Sequence, residues 1–449
     1  MKIFILSIFA TAIFLLPPYA HAQRSQIHED AEAQFRKGVS LFELEQYGSA
    51  IPIFRELSRP NSECSPAVVA SSKYYHATSA MFLYQEDAKP LLLKFISEHP
   101  ESPQVIHAWL QLGRIHFRSQ DFAEAARNFE STSWELLMKD ELAEYFFKYG
   151  YSLFMMNNYP DALVKFEKTL ANPSVWTSPA HYYSGQIYFE SEKYQKALSH
   201  FLEVKGDKHF SRVVPFYILQ IYYNQNQYQE ALSYGKTVAD TLKGSQRARI
   251  LRLVAESAFQ IKSDAEAIKY YEKYRAEFGS PDREGNYRLG MSYYRLGNLT
   301  NAAQFFRLAT SEDDSISQSA YYYLSEIFIR IDSKRLALDA LRLAAALSHQ
   351  PDITRDALFN FAKLSFEMGL NPYNEAVEAL DTYLKKYPNA HNAEEAKQLM
   401  VEIYLGAKNY KDALVSLSKM PNKSPKLKMA EQRILYFRGL ELFNNLELA

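Results

Sequence analysis

Between Trp109 and Phe129 the chain reads WLQLGRIHFRSQDFAEAARNF. Trp109, Leu112 and Gly113 share one face at helical spacing, and so do Phe122, Ala125 and Phe129. Between them lies the polar run Arg118-Ser119-Gln120-Asp121. The stretch therefore predicts two antiparallel helices joined by a tight turn, with a glycine in the first and an alanine in the second.

The alanine recurs. Ala50, Ala88, Ala125, Ala162, Ala197, Ala231, Ala267, Ala302, Ala337, Ala376 and Ala413 follow one another at intervals of 34 to 39 residues. Four residues later comes Phe54, Phe129, Phe166, Phe201, Tyr271, Phe306, Leu341, Leu380 or Leu417, and twelve earlier Gly38, Gly113, Gly150, Gly185, Ala255 or Gly290. A fixed period over so long a chain is the mark of stacked supersecondary units. The expected packing sets the small residue of the first helix against the alanine of the second, with the aromatic beside it. Asp161 and Asp264 near the starts of second helices are expected caps. Three hairpins depart from the pattern: that of Ala88 is about one residue short, that of Ala376 carries an insertion near Asn371-Pro372, and that of Ala231 has Gly235 where a large residue belongs.

The pattern resembles the tetratricopeptide repeat over about residues 30–449. Its signature is carried by Trp109, Leu112, Gly113, Phe122, Ala125 and Phe129, and again by Leu289, Gly290, Tyr293, Gly297, Ala302, Phe306 and Ala309. The resemblance implies an all-α, right-handed α-solenoid of about eleven hairpins, followed by a terminal unpaired helix from Ala430 to Leu446. That last helix repeats only the first-helix pattern, so the natural protein is expected to continue beyond Ala449 or to be covered there. The junctions Glu98-His99-Pro100-Glu101-Ser102-Pro103 and Lys386-Tyr387-Pro388-Asn389-Ala390 are similar in style to those of bacterial envelope repeat proteins, such as the TolA-binding cell-division coordinator and the lipoprotein of the outer-membrane assembly machine.

Residues 1–22 read as a secretory signal: Lys2, an apolar run from Ile3 to Leu16, then Ala20-His21-Ala22 before Gln23. The run is shorter than the roughly 20 residues a membrane-spanning helix needs. The expectation is an exported chain, residues 23–449, periplasmic or else secreted, without a transmembrane segment. Lys plus Arg (51) balances Asp plus Glu (52), so no field points to nucleic acid. Cys64 is the single cysteine, which leaves no internal disulfide.

The sequence contains no HExxH, P-loop, GxGxxG, GxSxG or paired-cysteine zinc pattern. His107 and His116 are nine residues apart, about 180° around one helix, and so do not share a metal. No catalytic residue, cofactor or metal is expected. The sequon at Asn298 falls in a hairpin turn, and a second lies at Asn422.

The family binds partners on its first helices. Taking the small column as position eight, position five gives Phe147, Tyr182, Phe216, Arg252, Tyr287 and Tyr322, and position nine gives Tyr151, Gln186 and Gln220. Aromatic faces beside amide and charged groups suit a protein or peptide partner. Position twelve, from Phe117 and Phe154 to Tyr294 and Ile329, is read as packing between repeats or as part of that surface. The expected function is a non-catalytic scaffold in the cell envelope, within a cell-wall or outer-membrane complex. The alternatives are a carbohydrate- or cell-wall-binding module and the non-catalytic N-terminal part of a larger enzyme.

Overall fold

The computed structural model describes residues 19–60, 64–368, 373–406, 408–418, 423 and 425–445. Most of the expected leader, the Asn371-Pro372 insertion and Asn422 lie outside the described residues. All regular structure among the described residues is helical, and there is no strand. The chain divides into two compact units, Met1–Val214 and Pro215–Ala449.

The first unit contains α1 (Tyr19–Glu43), α2 (Tyr47–Leu57), α3 (Pro66–Phe82), α4 (Ala88–Glu98), α5 (Val105–Arg118), α6 (Phe122–Glu130), α7 (Lys139–Met155), α8 (Tyr159–Leu170), α9 (Thr177–Glu190) and α10 (Tyr194–Val204). The second begins with α11 (Val214–Asn224), α12 (Tyr228–Val238), α13 (Gly244–Gln260), α14 (Asp264–Phe278), α15 (Arg283–Arg295) and α16 (Leu299–Leu308). It continues with α17 (Ser315–Arg330), α18 (Lys334–Leu347), α19 (Pro351–Glu367), α20 (Tyr373–Lys386), α21 (Ala393–Gly406), α22 (Tyr410–Ser418) and the unpaired α23 (Pro425–Asn444). Within each unit the helices pair as hairpins, odd number with even. First helices also touch first helices, α5 with α7 and α7 with α9, then α13 with α15 and α15 with α17. This is the stacking of an α-solenoid.

All eleven column alanines are buried. The expected glycine–alanine contact needs correction, because the glycine faces the aromatic ring. A Cβ on Gly113 would lie 2.5 Å from Phe129 Cε1, and the same placement on Gly38, Gly150, Gly185 and Gly290 meets Phe54, Phe166, Phe201 and Phe306. The ring is seated on bare backbone, which only glycine permits at that approach.

The hairpin turns share one geometry. Five residues before the alanine stands a residue with positive φ: Glu45, Gln120, Asn157, Glu192, Asn226, Lys262, Gly297, Asp332 or Lys408. The next amide reaches back five residues, as Asp121 N does to His116 O at 2.9 Å and Lys193 N to Tyr188 O at 2.8 Å. This is the Schellman closure, which satisfies carbonyls left open at a helix end. In the Ala88 hairpin the residue is Tyr84, four before the alanine, so that turn is indeed one residue shorter. The capping expectation is also corrected. Asp121 and Asn298 cap their second helices, accepting from Glu124 N at 3.3 Å and Asn301 N at 3.2 Å. Asp161 instead receives the side chain of Asn158, and Asp264 pairs with Arg295.

Candidate partner-binding face

Helical periodicity puts positions five and nine of a first helix one turn apart on one face. In the first unit, α7 carries Phe147 and Tyr151, and α9 carries Tyr182 and Gln186. Phe147 stacks on Trp176 at 4.9 Å and keeps only 5% of its surface exposed, so its ring belongs to the packing. Tyr151 is half-buried, 4.8 Å edge-on from Tyr183 and 5.6 Å from Phe117. Tyr182 stacks on Phe210 at 4.5 Å, and Gln186 Nε2 donates to its hydroxyl at 2.8 Å. Both stay half-exposed, held in fixed rotamers by these contacts.

In the second unit the Arg249 guanidinium lies 3.4 Å over the Phe216 ring, with half-buried Gln220 one turn on. Arg252 is exposed and bonds Glu256 at 2.8 Å and Asp282 at 2.9 Å. Tyr287 rests against Phe306 at 5.7 Å and Tyr322 against Tyr323 at 6.0 Å, both half-buried. Burial pushes the hydroxyls of Tyr287 and Tyr322 up to about 12, so both remain donors at any physiological pH.

At position twelve Phe117, Phe154, Phe189 and Tyr223 pack, whereas Ile329 is exposed. Each packed ring meets the ring that opens the second helix of the same hairpin: Phe117 with Phe122 at 6.0 Å, Phe154 with Tyr159 at 5.7 Å, Phe189 with Tyr194 at 5.8 Å and Tyr223 with Tyr228 at 5.2 Å. These pairs close each turn from one side.

Beside the aromatic columns run ion pairs and one tyrosine–carboxylate hydrogen bond that the columns do not show. Arg114 makes a two-pronged contact with Glu144 at 3.0 and 2.7 Å, and Lys148 joins the same carboxylate. Burial pushes the Glu144 carboxyl up, but Arg114 and Lys148 more than offset this and hold it below its usual value. In the second unit buried Glu256 also takes Arg288 at 3.1 Å, Tyr294 bonds Glu326, and Lys363 bonds Glu395 at 3.0 Å. Apart from Lys148–Glu144 within α7, each of these contacts joins neighbouring first helices across a sequence separation of 30 to 32 residues. That separation, slightly under one repeat, is the signal in the sequence that would have found them. His107 lies 3.6 Å from Glu141 and buried His116 is 3.2 Å from Asp121, so these two histidines serve separate partners.

A tetratricopeptide-repeat family model matches residues 218–281 and 265–316, and a second matches residues 356–390. These residues of the second unit carry tetratricopeptide repeats. Within the matched residues Gly290, Ala302 and Phe306 carry all three columns, and the same trio stands in the first unit as Gly38, Ala50 and Phe54, Gly113, Ala125 and Phe129, Gly150, Ala162 and Phe166, and Gly185, Ala197 and Phe201. No curated protein sequence matches the chain. Among solved structures, the chain is similar to MamA, at 21% identity over 42% of this chain and 96% of that one, with a TM-score of 0.29. A tetratricopeptide repeat protein from Parabacteroides merdae shares 15% identity over 57% of this chain and 98% of its own, with a TM-score of 0.35. The Naa15/Naa10 complex bound to HypK-THB matches at 14% identity over 90% of this chain and 73% of that one, with a TM-score of 0.38. No helix among the described residues is long and apolar enough to cross a membrane.

Proposed function

We propose that the chain is a non-catalytic scaffold, exported to the cell envelope, that holds a protein or peptide on the first-helix faces of its repeats. The observation that carries this reading is the pair Tyr182 and Gln186. An aromatic face and an amide are locked by Phe210 stacking and a 2.8 Å hydrogen bond, yet stay half-exposed. A rigid, half-exposed aromatic loses little entropy on contact, and an adjoining amide fixes the register of a bound chain. Tyr151 in the same unit and Phe216, Gln220, Arg252, Tyr287 and Tyr322 in the other supply the same kinds of group. Phe147 contributes by supporting Trp176.

The test is site-specific photocrosslinking of the full chain in its native envelope. A benzophenone side chain at position 182 or 322 should yield a discrete protein adduct, while one at exposed Val164 on a second helix should not. Adducts to glycan alone, or equal labelling from position 164, would overturn the reading. Export is tested separately: the mature N-terminus should be Gln23, and a mature chain retaining Met1 would contradict it.

A further inference from the structure

The hairpin of α9 and α10 brings two histidines face to face. His181 Nδ1 and His200 Nδ1 stand 3.0 Å apart, with ring centroids at 5.1 Å and planes inclined by 53°. A divalent ion bound at about 2.0–2.1 Å to each of two imidazoles sets their nitrogens about 2.8–3.0 Å apart at a tetragonal angle near 90° and about 3.3–3.4 Å apart at a tetrahedral one. We propose that His181 and His200 form a two-histidine chelate for a borderline transition-metal cation of the zinc, nickel or copper(II) class, with water completing the coordination.

Two features of the surroundings support the site. First, the fold does not ask for histidine here. The same two positions hold Phe146 and Lys165 in the preceding hairpin, Leu251 and Tyr270 in another, and Asn286 and Phe305 in a third. Second, His200 is reachable, because an open groove of about 590 Å³ runs between α8 and α10 over α9 and is lined by Glu167, Ser184, Tyr188, Lys196 and His200.

Charge around the pair is mixed. Glu203 acts on both rings and Glu167 lines the groove, while Lys196 is drawn aside with its Nζ 5.5 Å over the Tyr188 ring. Among the described residues no group of three or more His, Cys, Asp or Glu is placed to hold a metal. The protein thus supplies two ligands, and the ion is exchangeable. Imidazole nitrogen selects zinc, nickel or copper over magnesium and calcium, which require oxygen cages.

The experiment is calorimetric titration of the chelator-stripped full chain with Zn2+ and, separately, Ni2+. One ion should bind per chain, and His181→Gln and His200→Gln should each weaken binding at least about tenfold. His209→Gln and His349→Gln should leave it unchanged. If either groove variant loses helical content, the wild-type chain decides: Zn2+ should shield His181 and His200, but not His209, from acylation by diethyl pyrocarbonate. No uptake by the wild type at millimolar Zn2+, unaltered binding in the folded variants, or no such shielding would overturn the proposal.

Discussion

Leu219 and Gly235 exchange the sizes that their positions carry in neighbouring repeats. In five of the eleven hairpins, the preceding one included, glycine lies on the first helix and a phenylalanine on the second. Here Leu219 takes the first position, fully buried, and Gly235 the second. A Cβ on Gly235 would lie 3.3 Å from Leu219 Cδ1 and 2.2 Å from Val254 Cγ2. The hairpin is filled from the opposite side, with Val254 of the next repeat closing the gap.

Gly235→Ala should therefore destabilise the chain. Helix propensity alone favours alanine by about 1 kcal/mol, but overpacking against Val254 costs about 1–3 kcal/mol. The expected net loss is up to about 2 kcal/mol in denaturant unfolding. Gly439→Ala in α23 meets no atom within 4 Å and should show only the gain. A stabilised Gly235→Ala variant would mean that the Val254 contact is absent.

Gly113→Ala tests the ordinary arrangement. The added methyl would lie 2.5, 2.7 and 3.0 Å from three atoms of the Phe129 ring, which is itself fully buried. Overpacking costs about 1–3 kcal/mol and alanine's helix propensity returns about 1 kcal/mol, so a net loss of up to about 2 kcal/mol is expected. Combining it with Phe129→Leu should recover part of that loss, because the leucine lacks the ring edge that clashes. Purely additive effects would count against the contact.

The repeat was legible in the sequence because it rests on residue size at fixed spacing: alanine, glycine and phenylalanine columns specify which helices meet. The glycine–ring contact was not, since spacing alone does not tell whether Gly113 faces Ala125 or Phe129. The Leu219–Gly235 exchange was half legible: Gly235 stood out as a departure, but its compensation lay in a column where Leu219 attracts no notice. The ion pairs escaped because a column shows what recurs, whereas Arg114–Glu144 and Glu256–Arg288 reverse the order of charge. His181 and His200 escaped because nineteen residues and a turn separate them.

Left-handed turn residues offer a gain. Gln120, Glu192 and Lys262 adopt φ of 60°, 56° and 58°, where a side chain costs about 1–2 kcal/mol that glycine avoids. Gly297 already holds the same position in its own hairpin. Glycine also loses more chain entropy on folding, by roughly 0.5–1 kcal/mol, so the net gain per site should be under about 1.5 kcal/mol. The triple variant Gln120→Gly, Glu192→Gly and Lys262→Gly should melt at a higher temperature than the parent. An unchanged or lower melting temperature would show that these side chains make compensating contacts.

Asp314 gives the stack a pH-dependent joint. Its carboxylate caps α17 by accepting from Ser317 N at 2.9 Å, and Arg283 Nη1, at the start of α15, donates to it at 2.8 Å. The Arg283 bond, with the Ser317 amide, holds the carboxyl well below its ordinary 3.8. A depressed folded-state pKa means the charged form is favoured on folding. The contribution is therefore complete above the unfolded value and is lost as pH falls below about 4 toward the folded value. With about a third of the Asp314 side chain exposed, the ion pair is screened and adds at most about 1 kcal/mol, while the cap adds about 1 kcal/mol. Asp314→Ala should lower stability by about 1–2 kcal/mol near neutral pH. Asp314→Asn, which keeps a capping oxygen, should cost less than the alanine. The asparagine deficit should shrink as the pH is brought to about 3, because the unfolded wild type then takes up a proton that its folded state still resists, whereas asparagine titrates in neither state. A deficit that stays constant from neutral pH to about 3 would remove Asp314 from the acid response and leave it a cap alone.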